Sequence, residues 1–405
     1  MRKLLVIADD FTGALDTGVK CAGAGLQTDV IVDGAQFHAG EAGDGDVLVL
    51  NLPTRHCDRD EAYRAVFAAV RALGSNAEIV MKKTDSALRG NIGAELAAAL
   101  DASGERALAF LPAFPEIGRT TRKGVQYAGG RPIHESAFGR DPFEPVKRSD
   151  VCGVLREQMQ TPARSFPAEA CLPDGFSGIA VFDAESDAQL RDTVARLLEG
   201  GRLRLVAGCA GLGAALADRL SASGRCERQE ATFRKFTVLC GSVSPMAARQ
   251  VACAEANGAY VLPLGGGEQR DASFCESEAY REQLAALCAR ADAGQPTVVA
   301  SRGWTEAEGA DGRAAGARFA DMLGAVGQDL LERREDGALL VVGGDTLLAL
   351  MRRLHVGRIE PQRELAPGVV LSYIQYRGRK REILSKAGSF GTEDLFLRLW
   401  EQAAE

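Results

Sequence analysis

The stretch "KLLVIADDFTGALDTG", Lys3 to Gly18, runs from a short apolar segment into two adjacent carboxylates, Asp9 and Asp10, and then into the small residues Thr12-Gly13 that start a helix. A strand buried on both faces reads as a continuous apolar run, and a helix directly after it is the βα unit of a parallel sheet. Ligands of such sheets bind beyond the carboxyl ends of the strands, which is where the two acids stand. Successive residues of extended backbone point to opposite sides. One acid is therefore expected to face a ligand, leaving the other to cap the helix or accept a structural hydrogen bond.

The same unit recurs along the chain. "TDVIVD", "GDVLVLNL", "AEIVMKKT", "RALAFLPA", "SGIAVFDA" and "LRLVAGCAG" read as further strands, separated by helical stretches such as "RDEAYRAVFAAVRAL" and "IGAELAAALDA". Residues 115–150 break the rhythm with Pro, Gly and Arg and read as a long functional loop. The polar stretch "SASGRCERQEATFRK", 221–235, carries no apolar period and is the expected domain link. After it the alternation resumes with "FTVLCGS", "AYVLPL", "PTVVASRG" and "GALLVVGG", and a long helix is expected over "AAGARFADMLGAVGQDLLERR". The expectation is an α/β protein of two domains, residues 1–228 and 229–405, each built on a mostly parallel sheet flanked by helices.

Composition narrows the partners. The 405 residues carry 48 basic and 55 acidic side chains, a net charge of −7, which argues against nucleic acid or an anionic membrane as the main partner. No apolar run approaches the ~18 residues of a membrane span, and the N-terminus lacks the pattern of a secretion signal, so a cytoplasmic location is the expectation. Ten cysteines without a C-x-x-C pair read as reduced thiols. With four histidines and no H-x-x-x-H spacing, zinc is not indicated and no metal-ligating residue is assigned. A metal, if used, is a hard cation such as Mg²⁺ held by oxygens.

Beyond the opening acids, "KKTDSALRGNIGAEL" crowds Lys82, Lys83, Asp85, Ser86 and Arg89 at a strand end, with Gly90 and Asn91 opening a helix. Arg grips a carboxylate with two parallel hydrogen bonds and Lys adds a compact charge, a set suited to a polyhydroxy acid. Arg55, in "NLPTRHC" after the third strand, is the expected neighbour. The second half has three glycine-punctuated strand ends. They are "VLCGSVSP" with Gly241, Ser242 and Ser244, "LVVGGDTLLAL" with Gly343, Gly344, Asp345 and Thr346, and "LSKAGSFG" with Lys386, Gly388 and Ser389. Glycines let backbone N–H groups approach an anion at a helix N-terminus, so this half reads as phosphate-binding. The P-loop fingerprint is absent.

Taken in order, "ADDFTGALDTG", "KKTDSALRGNIGAEL", "LPAFPEIGRTTRKGVQY", "IHESAFGRDPFEPV", "GSVSPMAARQ", "GGDT" and "LSKAGSFG" resemble the motifs of the four-carbon acid sugar kinases over roughly residues 4–395. Two positions depart from the family pattern: Ala87 stands where Thr is usual, and Gly388-Ser389 where a Gly pair is common. The resemblance implies ATP- and Mg²⁺-dependent phosphorylation of a hydroxyl on a threonate, an erythronate or a 3-oxo-tetronate. The sugar acid would sit on the N-terminal domain, the nucleotide on the C-terminal one, and the active site in the cleft between them. It implies that Asp10 or Asp9 accepts the hydroxyl proton, that Thr12, Arg55, Lys83, Asp85, Arg89 and Gly90 hold the substrate, and that Ser242, Ser244, Gly343 to Thr346 and Gly388 line the nucleotide. Exposed sheet edges are compatible with a homodimer. Two rival readings remain at this stage: a metal-dependent phosphatase or lyase of sugar-acid phosphates, and a sugar-acid sensor without catalysis.

Overall fold

The structure is a computed structural model that describes residues 1–35, 37, 44–141, 145–199, 204–221, 233–264, 272–301, 310–334 and 337–403. The expected domain link lies largely outside the described residues. By internal contacts the chain divides into two compact units, Met1–Cys226 and Glu227–Glu405.

In the first unit, strands β1 (Arg2–Ala8), β2 (Thr28–Ile31), β3 (Val47–Asn51), β4 (Ala77–Lys83) and β5 (Ala107–Leu111) alternate with helices α1 (Phe11–Gly23), α2 (Arg59–Leu73) and α3 (Ile92–Ser103). A three-stranded antiparallel sheet follows, β6 (Arg119–Arg122), β7 (Val125–Ala128) and β8 (Arg131–Pro132), in place of the expected irregular loop. The chain continues through α4 (Val151–Arg156), β9 (Ala163–Phe166), β10 (Gly178–Phe182), α5 (Asp187–Leu198), β11 (Leu205–Gly208) and α6 (Ala210–Leu220). The large sheet of this unit is wholly parallel, in the order β2-β3-β1-β4-β11-β5-β10-β9. Its central strands are largely apolar because helices cover both faces, with Lys82 and Lys83 of β4 as buried exceptions. Leu5, Ile7, Leu48, Leu50, Val80 and Phe110 join residues of α2 and α3 in one core.

The register places the functional strand ends side by side. Ala8 of β1 pairs with Asn51 of β3 on one flank and with Lys83 of β4 on the other. The residues that follow β1, β3 and β4 therefore leave the sheet together at its carboxyl edge.

The second unit comprises β12 (Phe236–Cys240), α7 (Pro245–Ala256), β13 (Tyr260–Leu264), α8 (Glu278–Asp292), β14 (Thr297–Ser301), α9 (Ala310–Arg333), β15 (Ala338–Val342) and α10 (Gly344–Arg353), then β16 (Arg358–Ala366), β17 (Val369–Tyr376), β18 (Arg379–Lys386) and α11 (Leu395–Gln402). Strands β13-β14-β12-β15-β18 are parallel neighbours, while β18-β17-β16 form an antiparallel meander. The hairpin turn between β17 and β18 is Arg377-Gly378, both with positive φ (50° and 74°). That is the two-residue turn whose twist matches the flanking strands. Trp400 of α11 stacks on Phe236 at 5.5 Å and donates its indole N–H to the Phe236 carbonyl, tying the chain's last helix to β12. Among the described residues no helix is long and apolar enough to cross a membrane, and no cysteine is paired.

Candidate active site

In the first unit, both opening acids turn toward one guanidinium. Arg55 donates from Nε to Asp9 Oδ2 (2.8 Å) and from Nη2 to Asp10 Oδ1 (2.7 Å). The alternation expected of extended backbone is overridden because Asp10 is already the N-cap of α1, its Oδ1 accepting from the Gly13 amide. The division of labour is one of access. Asp9 is 2% exposed, whereas the Asp10 side chain keeps 26% of its surface. Burial alone would raise the Asp9 pKa, but Arg55, Lys82 and Lys83 outweigh it and hold the carboxyl below its ordinary value.

Lys83 ends β4 and is buried, with its Nζ donating to the Thr84 carbonyl at 2.7 Å. Gly13 opens the room in which Asp10 and Lys83 meet. A Cβ there would lie 2.4 Å from Asp10 Oδ1 and 2.7 Å from Lys83 Nζ. Thr12, in the same first turn, is half-buried. Asp85 gathers the next loop by accepting the amides of Ala87 and Arg89, and it takes both the Nε and Nη2 hydrogen bonds of Arg89. Arg89 also pairs with Asp141 at 3.2 Å. Burial opposes ionisation of Asp85, yet Arg55 and Arg89 depress its pKa far below the usual range. Gly90 has φ +85° and lets the Arg55 side chain pass, since a Cβ would stand 3.0 Å from Arg55 Cγ. Ala87, where the family pattern has a hydroxyl, is wholly buried in a small apolar cluster with Ile133 and Val146.

Sequence reasoning missed the layer beneath. Lys82 makes an ion pair with Glu95 of α3 at 3.0 Å, both 1% exposed, and Thr54 donates its hydroxyl to Glu95. Alternation along β4 sends Lys82 and Lys83 to opposite sides, but Glu95 sits in the run "IGAELAAALDA", whose other residues signal only a buried helix. Arg119 and Asp141, from the segment after β5, also reach this region.

In the second unit, β12, β15 and β18 are neighbours and their three turns meet. The Ser244 hydroxyl caps α7 by accepting the Ala247 amide and donates to the Gly388 carbonyl at 2.7 Å. A Cβ on Gly388 would lie 2.1 Å from Ser242 Oγ, and one on Gly241 would lie 2.0 Å from Thr346 Oγ1. Gly343 has φ +114° and caps α10, and its N–H donates to the Lys386 carbonyl. Gly344 opens α10, with Asp345 exposed in its first turn. Lys386 is buried at the end of β18, its Nζ donating to the carbonyls of Ala387 and Gly388. Burial lowers its pKa to about 8. Of the residues that sequence singled out in this half, Gly241, Ser242, Ser244, Gly343, Thr346, Lys386 and Gly388 are thus brought together. The chemistry offered is a backbone-lined cradle with one buried cation, which suits a phosphate chain. Among the described residues no group of three or more His, Cys, Asp or Glu side chains could hold a metal ion.

Two family models match the chain: a sugar-binding N-terminal domain over residues 4–216 and a nucleotide-binding C-terminal domain over residues 237–396. The chain is 30% identical to a D-threonate kinase of Salmonella typhimurium, with 96% of each covered. It is 30% identical to a 3-oxo-tetronate kinase of Methylobacterium radiotolerans, with 98% of each covered. A D-erythronate kinase of Heliobacterium modesticaldum is 27% identical, with 97% of this chain and 95% of the relative covered. Among solved structures, a Haemophilus influenzae protein superposes with a TM-score of 0.72 at 25% identity, over 98% of this chain and 99% of the other.

Proposed function

Because the chain belongs to the four-carbon acid sugar kinase family, we propose that it transfers the γ-phosphoryl group of ATP to a hydroxyl of a threonate, an erythronate or a 3-oxo-tetronate. The observation that carries this reading is the solvent-reachable carboxylate of Asp10, held by Arg55 beside the buried ammonium of Lys83.

In this reading Asp10 accepts the proton of the acceptor hydroxyl as its oxygen bonds to phosphorus. The bond from phosphorus to the bridging oxygen breaks, and ADP leaves with the electron pair. Arg55 keeps Asp10 in place, and Asp9, buried and ionised, keeps Arg55 in place. Thr12, Lys83, Asp85, Arg89 and Gly90 shape a positively biased pocket for an anionic polyol. On the other unit, the N–H groups and hydroxyls at Ser242, Ser244, Gly343 to Thr346 and Gly388 hold the nucleotide, with Lys386 as their cation. Gly241 and Gly388, whose missing Cβ lets the Thr346 and Ser242 hydroxyls pack against the turns, support that fit. Mg²⁺, bound with the phosphates, would neutralise their charge. Asp345 is the exposed carboxylate beside those turns, suited to hold the ion through its water shell.

The test is ADP release by the purified chain with ATP and Mg²⁺, offered D-threonate, L-threonate, D-erythronate and the 3-oxo-tetronates in turn. Turnover with at least one acid is expected, and Asp10→Ala is expected to lower kcat by about 10²- to 10⁴-fold. Failure of every acid to raise ADP release above background would sink the proposal.

A further inference from the structure

Three arginines reach the carboxyl edge of the first unit's sheet, and they differ in what meets their Nε/Nη2 edge. Arg55 gives that edge to Asp9 and Asp10. Arg89 gives it to the two oxygens of Asp85. Arg119, the first residue of β6, spends only Nη1, on the Ile117 carbonyl at 3.1 Å, and its Nε is shielded from solvent without a hydrogen-bond partner. No Asp or Glu among the described residues pairs with it. Asp85 acts on it electrostatically from a distance while bonded to Arg89, and burial leaves Arg119 with a lowered pKa.

An Nε–H shielded from water with no acceptor, as in the half-buried Arg119, is a destabilising arrangement. The ring of Phe138 offsets part of it. The Arg119 Cζ lies 4.7 Å from the ring centroid and the Arg89 Cζ lies 5.4 Å from it, within reach of the ring's negative face. Two guanidinium groups sharing one ring repel each other. Arg89 is tolerated there because Asp85 and Asp141 neutralise it, whereas no carboxylate among the described residues bonds to Arg119. An anionic ligand would. The Nε/Nη2 edges of Arg55 and Arg89 are taken by carboxylates of the chain itself, whereas that of Arg119 meets none among the described residues. Pairing through both nitrogens requires its Nε to turn toward the ligand, a motion opposed by one hydrogen bond and one ring contact.

We propose that Arg119, seated on Phe138, receives the carboxylate of the four-carbon substrate and so makes the site select an acid over a neutral sugar alcohol. The proposal rests on the kinase reading above and deepens it. The reacting hydroxyl then lies at Asp10 and the carboxylate at the opposite end of the molecule, by the segment that follows β5.

The test compares wild type, Arg119→Gln and Arg119→Lys as full chains. It reads kcat/KM for the tetronate that wild type phosphorylates and for the neutral tetritol of the same stereochemistry. Arg119→Gln is expected to lose about 10- to 100-fold on the acid, chiefly through KM, and less than about threefold on the tetritol. Arg119→Lys is expected to recover part of the loss. If acid and tetritol fall by the same factor, or neither falls, Arg119 is structural and the proposal fails. Calorimetric titration of the acid without ATP separates this from the kinase reading. Weaker binding to Arg119→Gln supports the assignment even if no turnover is found, and equal affinity or no binding by wild type overturns it, while ADP release alone decides the kinase reading.

Discussion

A lysine at a strand end, with its ammonium folded onto the carbonyl of the following residue, occurs in both units as Lys83 and Lys386. Neither forms an ion pair with an acid among the described residues. For Lys386 the consequence can be measured. Its pKa of about 8 reflects burial, and the neighbouring ionisable group is Cys240, whose own burial pushes it to about 11 and keeps it a neutral thiol. A phosphate beside Lys386 favours the protonated form. ATP affinity is therefore expected to fall as pH rises above about 8, by up to tenfold per unit, and Lys386→Met is expected to bind more weakly and lose that dependence. Calorimetric titrations from pH 7 to 9.5 read both, and an unchanged pH profile in the variant would rule Lys386 out as the phosphate cation. Asp85 gives the opposite sign. Its carboxyl is depressed in the fold, so its contribution is full above the ordinary value of 3.8 and is lost as pH falls below it. Asp85→Asn is expected to cost about 3–5 kcal/mol at pH 7 by leaving Arg89 poorly paired, and urea unfolding at pH 3 should show a smaller gap from wild type. Position after a strand made Asp9, Asp10, Lys83 and Asp85 readable from sequence. The sharing of Arg55 by two acids, the buried Lys82–Glu95 pair and the open fork of Arg119 were not readable. Each depends on residues 13 to 46 positions apart or on a loop whose path periodicity does not report.

Strands announced themselves where both faces are covered. β5 and β15 are unbroken apolar runs, and β1, β3, β4 and β12 are built on apolar cores with few polar positions. The register of β1 between β3 and β4 explains why their loops leave the sheet together. β16, with the sequence RIEPQRELA, was missed because its charged residues alternate with few apolar ones and Pro361 borders a register shift. β9 was missed as a short strand with two exposed residues. The 115–150 segment reads as a loop because its small sheet is held by turns such as Lys123-Gly124 more than by an apolar face. Helix α1 carries a sharper test. Ala is the better helix former by about 1 kcal/mol, yet a Cβ at position 13 intrudes on Asp10 and Lys83. Gly13→Ala is expected to keep its circular dichroism spectrum and lose about 10²-fold in turnover, since a displacement on the order of 1 Å suffices. Full activity would show that the Asp10–Lys83 approach is not needed.

On the proposed reading each unit carries its own anion-binding edge, so the two ligands should leave separate footprints on the whole chain. Amide hydrogen exchange is expected to slow with ATP at residues 241–246, 343–347 and 386–391, and with the sugar acid at 9–13, 84–91 and 117–122. The reverse assignment would exchange the roles of the units. Asp10 holds the first turn of α1 through the Gly13 amide and is also the group proposed to take the proton. Asn is as good an N-cap as Asp, and Asp9 remains to anchor Arg55. An Asp10→Asn protein should therefore stay folded and keep its pocket while lacking a base. It would be a stalled enzyme in which ATP and the intact acid can sit together long enough to be crystallised, and the acid it retains from a mixture of tetronates would identify the natural substrate.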